Sequence, residues 1–289
     1  MKLSIIVPTY NNLDYLKLFL KSIKENSSYN NDIIIHVNDG SDGTLDFVKN
    51  NNIKFTHSKN NIGLCSSVNL AAKKAINELI VYSHDDMFFC KNWDLELIGE
   101  IKKINHNFFY ISGMNVSYSD GFIDVDCGKF PKEFNNDKFN KFCQNDKSQN
   151  IQGSHWAPHV VHKSLWDEVG GFSEEFNPGD GSDPDFCYKL WKQNIRIFKT
   201  FAKWKVYHFG SATTRKSKYV KKNKGTKTFL LKWKISPRTF RNHYLKGEKK
   251  IIYVSPLADP KLNLIFIKDI FIDKLKYIYL KLINKIFKN

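Results

Sequence analysis

Asp85 and Asp86 stand side by side directly after the apolar run Leu79–Ser83, and neighbouring carboxylates at a strand end repel unless a positive charge comes between them. A divalent cation relieves that repulsion. Oxygen ligands suit Mg²⁺ or Mn²⁺, which take one or two carboxylates and complete their shell with water and substrate phosphates; the same pair also reads as a solvated turn. Asp39 follows the run Ile33–Val37 in the loop Asn38-Asp39-Gly40-Ser41-Asp42-Gly43, whose two glycines let the backbone turn sharply. A carboxylate there can accept from a nucleobase imide or a ribose hydroxyl, although the loop also reads as turn chemistry alone. Asp183 and Asp185 lie in Gly181-Ser182-Asp183-Pro184-Asp185, just before a helix. Either suits an N-cap, and either suits a general base if its crevice is partly dry. His208 ends the run Phe198–His208, where a plain strand-end histidine is the ordinary reading.

These residues need a frame that brings loop ends together. Leu3–Val7 reads as a buried strand, Tyr15–Lys24 as a helix with Leu16, Phe19, Leu20 and Ile23 at helical spacing, and Ile33–Val37 as a second strand. A helix from Thr44 to about Asn50, a strand Ile53–His57, a helix Ser66–Asn77 and the strand Leu79–Ser83 follow. Strands alternating with helices predict a parallel sheet wound by right-handed crossovers, with polar loops at the carboxyl ends of the strands, where open α/β sheets bind ligands. Further on, Phe108–Val116 reads as a strand, Asp120–Ser148 as a polar, irregular excursion, Ser164–Val169 as a helix closed by Gly170-Gly171, Asp185–Gln193 as a helix closed near Asn194, and Phe198–His208 as a strand. Thr213–Asn223 is a basic loop.

The chain has 289 residues with 42% hydrophobic and 26% charged residues, which excludes a disulfide-stapled miniprotein, a collagen-like chain and broad disorder. The charge is uneven. Residues 1–202 carry 22 Lys/Arg against 25 Asp/Glu, whereas residues 203–289 carry 23 against 4. Only four of the 45 basic residues are arginine, and lysine and asparagine abundance of this kind also follows from AAA/AAT codon bias. Cys65, Cys90, Cys127, Cys143 and Cys187 form no C-x-x-C pair and no zinc spacing, so reduced thiols are expected. The N-terminal apolar run is too short for a signal-peptide core and no segment reaches a membrane span, which places the protein on the cytoplasmic side. On a helical wheel Phe271, Ile272, Leu275, Ile278, Tyr279, Leu282, Ile283 and Ile286 share one face, opposite Asp273, Lys274, Lys276, Lys281, Asn284, Lys285 and Lys288. That basic amphipathic helix suits an anionic leaflet, or docking on protein.

In order along residues 1–210 the motifs resemble the inverting nucleotide-sugar glycosyltransferases of family 2. Ser4-Ile5-Ile6-Val7-Pro8-Thr9-Tyr10-Asn11 is similar to that family's first strand and loop, and Val37-Asn38-Asp39-Gly40-Ser41 to its Val-Asp-Asp-Gly-Ser motif with Asn38 in place of the first acid. Asn60-Asn61-Ile62-Gly63 with Asn69 resembles the next nucleotide-side loop and helix, and Ser83-His84-Asp85-Asp86 the D-x-D region. Gly170-Gly171-Phe172-Ser173-Glu174-Glu175-Phe176 resembles Gly-Gly-Phe-Asp-Glu-x-Phe; Ser182-Asp183-Pro184-Asp185-Phe186-Cys187-Tyr188-Lys189-Leu190 resembles Glu-Asp-x-Asp-Leu-Cys-x-Arg-Leu, with Ser182 for the Glu; and Val206-Tyr207-His208-Phe209-Gly210-Ser211 resembles a late histidine loop.

The resemblance implies a GT-A fold, an α/β Rossmann-like, mostly parallel sheet flanked by helices. Residues 1–212 would form the catalytic domain and 213–289 a basic extension with its amphipathic helix at about 262–288. It implies Asp183 as catalytic base; Pro8, Thr9, Tyr10, Asp39, Asn61, Gly63, Asn69 and Asp85 on the nucleotide; and Asp86 with His208 on Mn²⁺ or Mg²⁺. Gln152, Gly153, His155, Trp156 and Asp185 would line the sugar or acceptor pocket, with core packing the ordinary reading of Trp156. The expected partners are a nucleotide-sugar donor, UDP-sugar first, a glycan or lipid-linked acceptor in surface-glycan synthesis, and the inner face of the cytoplasmic membrane. The departures at Asn38, Ser83 and Ser182 leave a non-catalytic sugar-nucleotide binder open. The basic tail raises nucleic-acid binding, but no nucleic-acid fold signature accompanies it.

Overall fold

The computed structural model describes residues 2–119, 121–210, 224–247 and 250–286. The basic loop expected at 213–223, the boundary at 212/213, Ser211 of the last motif and residues 287–288 of the final helix lie outside them.

The apolar runs become β1 (Leu3–Tyr10), β2 (Asp32–Asn38), β3 (Lys54–Ser58) and β4 (Leu79–Tyr82), joined by α1 (Leu13–Asn26), α2 (Thr44–Asn50) and α3 (Leu64–Ala72). β1 continues through Pro8, past the expected end. It pairs with β4 only over Leu3–Ile6, so at Pro8 one neighbour has already gone and the missing N–H costs little.

The chain then adds β5 (Met87–Phe89), α4 (Trp93–Ile104), β6 (Tyr110–Ser117), β7 (Ile123–Asp124), α5 (Asn136–Asn145), β8 (Ile151–Gln152) and β9 (His159–His162). The excursion at 120–148 is therefore not irregular throughout: Asn135 caps α5 by accepting from Lys138 N at 2.9 Å, and Phe139 of α5 is buried. α6 (Lys163–Glu168), α7 (Ser182–Lys192), β10 (Phe198–His208), α8 (Lys224–Trp233) and the 23-residue α9 (Leu264–Ile286) complete the order.

The strands form one sheet in the order β3-β2-β1-β4-β9-β6-β10-β5, with β7 beside β6 and β8 beside β10. β1 to β4, β6 and β10 share one direction, while β9 runs opposite them between β4 and β6. The carboxyl ends of the parallel strands therefore open along one edge. β10 is held by two buried ion pairs, Lys199 with Glu100 of α4 at 2.6 Å and Lys205 with Asp146 at 3.0 Å. Phe229, Ile235, Phe240, Leu245 and Leu257 belong to the same buried cluster as the sheet, so the C-terminal segment shares the core of the preceding residues.

Candidate active site at the carboxyl edge of the sheet

On the β1/β2 side, the Thr9 hydroxyl donates to Asp85 Oδ2 at 2.6 Å and Asn12 Nδ2 donates to Asp85 Oδ1 at 3.1 Å. The adjacent Asn11 donates to Asp39 Oδ2 at 2.9 Å, and Ser41 N donates to Asp39 Oδ1 at 3.2 Å. Those bonds, the Asn11 amide first, hold the Asp39 carboxyl below its ordinary range. Asp39 takes the left-handed conformation with φ 62°, which a short polar side chain tolerates. Pro8 and Tyr10 are half-buried beside it on β1. Exposed Asn61 accepts from Gly63 N at 2.9 Å; Gly63, at φ 87°, leaves no room for a side chain against Asn177.

Asp85 and Asp86 are both buried at the end of β4. Burial, and then the charge of Asp86, push the Asp85 carboxyl up. Asp86 Oδ1 lies 3.3 Å from His208 Nε2 at the end of β10 and 3.9 Å from His84 Nδ1. One ligand atom from each of His84, Asp86 and His208 lies within 4.8 Å of the others. His84 Nε2 is 2.9 Å from the Tyr82 hydroxyl, and burial pushes the imidazole down to about 4, so it stays neutral with a lone pair to offer. The trio fits a divalent cation. Two imidazoles and one carboxylate suit Mn²⁺ better than the oxygen-seeking Mg²⁺.

Asp183 sits in the first turn of α7, not at its cap, which is Gly181 at φ 84°. Its Oδ1 is shielded from solvent and has no hydrogen-bond partner among the described residues. Burial pushes this carboxyl up to about 7, opposed only by a backbone hydrogen bond. Tyr82, fully buried, is pushed up by burial and then by the charges of Asp183, Cys65, Asp86 and Asp85, so the charges of three acids act on one phenol. Asp39 joins them through the neighbours Asn11 and Asn12.

Beside His208 a cavity of about 730 Å³ opens at the ends of β6 and β10, with His155 and Trp156 in its wall. Residues 4–170, more than half of the chain, match the profile described as glycosyl transferase family 2. The chain belongs to that family. It is 30% identical over 144 residues to an uncharacterized glycosyltransferase of Rickettsia bellii (strain RML369-C), covering 48% of this chain and 19% of that protein. The chain thus spans about a fifth of that relative's length. The structure of S. aureus TarS 1–349 with UDP-GlcNAc is similar at TM-score 0.56 and 17% identity, over 80% of this chain and 65% of that one. GalNAc-T7 with UDP, GalNAc and Mn²⁺ is similar at TM-score 0.55 and 15% identity, over 72% and 44%. At these identities the likeness is one of fold, and the fold is GT-A.

Within this glycosyltransferase family 2 fold, several expected site residues are engaged elsewhere. Asn69 spends both ends of its amide on Phe172, accepting from its N–H at 2.9 Å and donating to its carbonyl at 2.8 Å, so it fastens a loop. Asp185 is fully buried and accepts from Ser173 Oγ at 2.6 Å and Trp233 Nε1 at 2.7 Å, with Lys232 Nζ at 3.0 Å; it anchors α8 and is closed to a sugar. Buried Gln152 donates to the Phe198 carbonyl at 3.0 Å, and Gly153, at φ 92°, lets the backbone of Leu245 and Gly247 pack closely. Both hold the C-terminal segment and line no described cavity. His84 is the residue the sequence reading passed over, because its partner His208 is distant in the chain.

Proposed function

We propose that the chain transfers one sugar from a nucleotide-diphosphate donor, UDP-sugar first, to an acceptor hydroxyl with inversion, in cell-surface polysaccharide or lipopolysaccharide synthesis. The observation that carries this is a half-buried, raised Asp183 carboxyl whose Oδ1 is shielded from solvent and without a hydrogen-bond partner among the described residues, at the edge of a GT-A sheet where Asp85 and Asp86 also lie. Asp183 takes the proton of the acceptor hydroxyl, whose oxygen attacks the anomeric carbon from the face opposite the donor phosphate. The bond from that carbon to the diphosphate oxygen breaks, and its electron pair leaves with the nucleotide. Asp39, presented by the loop after β2, receives the base, while Pro8, Tyr10, Asn61 and Gly63 flank it; Thr9, with Asn12, sets Asp85 toward the ribose. His84, Asp86 and His208 would hold the cation, which when bound offsets charge on the leaving diphosphate.

In this reading residues 1–212 form the catalytic unit, and the C-terminal extension completes its wall and holds it to the anionic inner face of the cytoplasmic membrane. Among the described residues no helix is long and apolar enough to cross a membrane. The decisive experiment pairs Asp183→Asn with isothermal titration of UDP. Transfer from a UDP-sugar lost in the variant, with UDP affinity kept, supports the base; transfer that survives assigns that role elsewhere, and a wild-type chain that binds UDP without turnover is a binder only. Chelation should abolish transfer, with Mn²⁺ restoring more of it than Mg²⁺.

A further inference from the structure

We infer that the cavity beside His208 is an acceptor subsite that grips a phosphate group on the acceptor saccharide, an inference that rests on the transferase reading above. Its position separates it from the nucleotide side. The sheet places β1 and β2, with Thr9 and Asp39, on one side of β4, and β6 and β10, which frame the cavity, on the other. His208 belongs both to the cavity wall and to the cation trio, so a molecule filling the cavity abuts the place where the donor diphosphate would be neutralised.

The charge of the wall is one-sided. Lys129, Arg241 and Lys250 line it, and no Asp or Glu among the described residues does; Asp120 and Glu248 lie outside those residues. None of the three cations pairs with a carboxylate among the described residues, whereas Lys199, Lys205 and Lys232 elsewhere each do. Cations gathered in a concave site without an internal counter-charge raise the local concentration of an anion. They are also placed. Lys250 Nζ donates to the Phe122 carbonyl at 3.0 Å and lies 4.4 Å from the centre of that ring, while Phe122 meets His155 edge-on at 4.2 Å. Arg241 projects from the turn Phe240–Tyr244 beside Gly247. It is one of only four arginines against 41 lysines, and the guanidinium fork matches two phosphate oxygens where an ammonium offers a point charge.

The remaining wall suits a sugar. Burial, then Arg241 and Lys250, push His155 down to about 4, so it remains neutral and free to exchange hydrogen bonds. Trp156 is held at φ 64°, a strained conformation for a bulky residue, by a 2.8 Å bond from its N–H to Ser154 Oγ and a 3.1 Å bond from Tyr110 to its carbonyl. An indole in a wall beside cations offers an apolar face to a pyranose ring whose phosphate reaches the guanidinium. The volume lies within the range of small-molecule sites.

The test measures binding to the full chain by titration calorimetry with four probes: methyl glucoside, glucose 6-phosphate, a short-prenyl diphosphate-linked glucose in detergent, and UDP. Either phosphorylated sugar should bind at least about tenfold more tightly than the neutral one, and Arg241→Gln should remove about tenfold of that, the worth of a charge-assisted hydrogen bond, with UDP affinity and melting temperature unchanged. Lys129→Gln, on an exposed side chain, repeats the test without risk to the core. The prenyl-linked probe binding better than glucose 6-phosphate places the phosphate on a lipid carrier, and the reverse places it on the glycan. Equal binding of neutral and phosphorylated sugars overturns the inference. So does an equal loss of UDP affinity in Arg241→Gln, which would give the cations to the donor. Sugar-phosphate binding without any UDP binding would leave the subsite standing and remove the transferase reading instead.

Discussion

Burial keeps Asp183 close to losing its charge, and two measurements expose this. As a base it must be ionised, so kcat/KM should rise with pH through about 7 and level off above it. The same shift acts on stability. The folded chain holds this proton up to about pH 7, while an unfolded aspartate releases it near 3.8, so ionising the folded carboxyl subtracts stability as pH rises through that window. Asp183→Asn should therefore melt above the wild type at pH 8 and level with it near pH 4, checked by scanning calorimetry. The placement of the acids at 39, 85, 86 and 183 at strand ends and a helix start was legible, because strand and helix patterns are local signals. The engagement of Asn69 and Asp185 was not legible, because the groups that occupy them, Phe172 and Trp233, lie 103 and 48 residues away. Asn38 shows why the first acid of the motif is dispensable here: buried, it donates to Ser67 Oγ at 2.8 Å and accepts from Ile62 N at 3.0 Å, a mixed role that no carboxylate fills.

α7 carries Asp183, and its seat is set by the loop before it. Asn69 of α3 brackets Phe172 with two hydrogen bonds, while Lys189 of α7 donates to the Val169 carbonyl at 2.9 Å and to that of Gly171. Asn69→Ala should cost about 1–3 kcal/mol in urea unfolding, the range for leaving buried groups unpaired, and should lower kcat while sparing UDP affinity, because it loosens the base and not the donor side. Strands such as β10, an eleven-residue run ending in histidine, could be read from the sequence alone. β9 could not. Its four residues are too short for a period to register, and it runs antiparallel between parallel neighbours, so its place depends on pairing with Tyr82 and Ile111. α5 was hidden by the polar composition around Phe139, although Asn135 before it was a readable cap.

Among the described residues the last helix meets the rest of the chain along one edge only. Phe266 and Asp273 are buried; Asp273 accepts from Ser236 N at 2.6 Å, and Asp269 pairs with His243 at 2.7 Å. The helical wheel set Asp273 on the outward polar face, but its bond from the Ser236 N–H holds it inward, and the apolar stripe turns out. Leu264, Ile267, Phe271, Leu275, Ile278 and Leu282, three or four residues apart, are 45% to 85% exposed, with Lys268, Lys274, Lys276, Lys281 and Lys285 also at the surface. An apolar stripe flanked by lysines and left uncovered by the described residues fits an interface between hydrocarbon and anionic headgroups, where a buried Leu or Ile contributes about 1.5–3 kcal/mol and a nearby Lys about 1 kcal/mol. The chain should therefore sediment with phosphatidylglycerol vesicles, far less with phosphatidylcholine, and less as salt rises from about 0.1 to 1 M and screens the lysines. Leu275→Ser with Ile278→Ser should lower that partition at least about tenfold, since two lost apolar contacts exceed the 1.4 kcal/mol of a decade. Both side chains point to solvent, so the melting curve and UDP affinity should not change. Equal recovery with either lipid would remove the membrane from this reading, and a serine-sensitive dimer in sedimentation velocity would assign the stripe to a second copy of the chain.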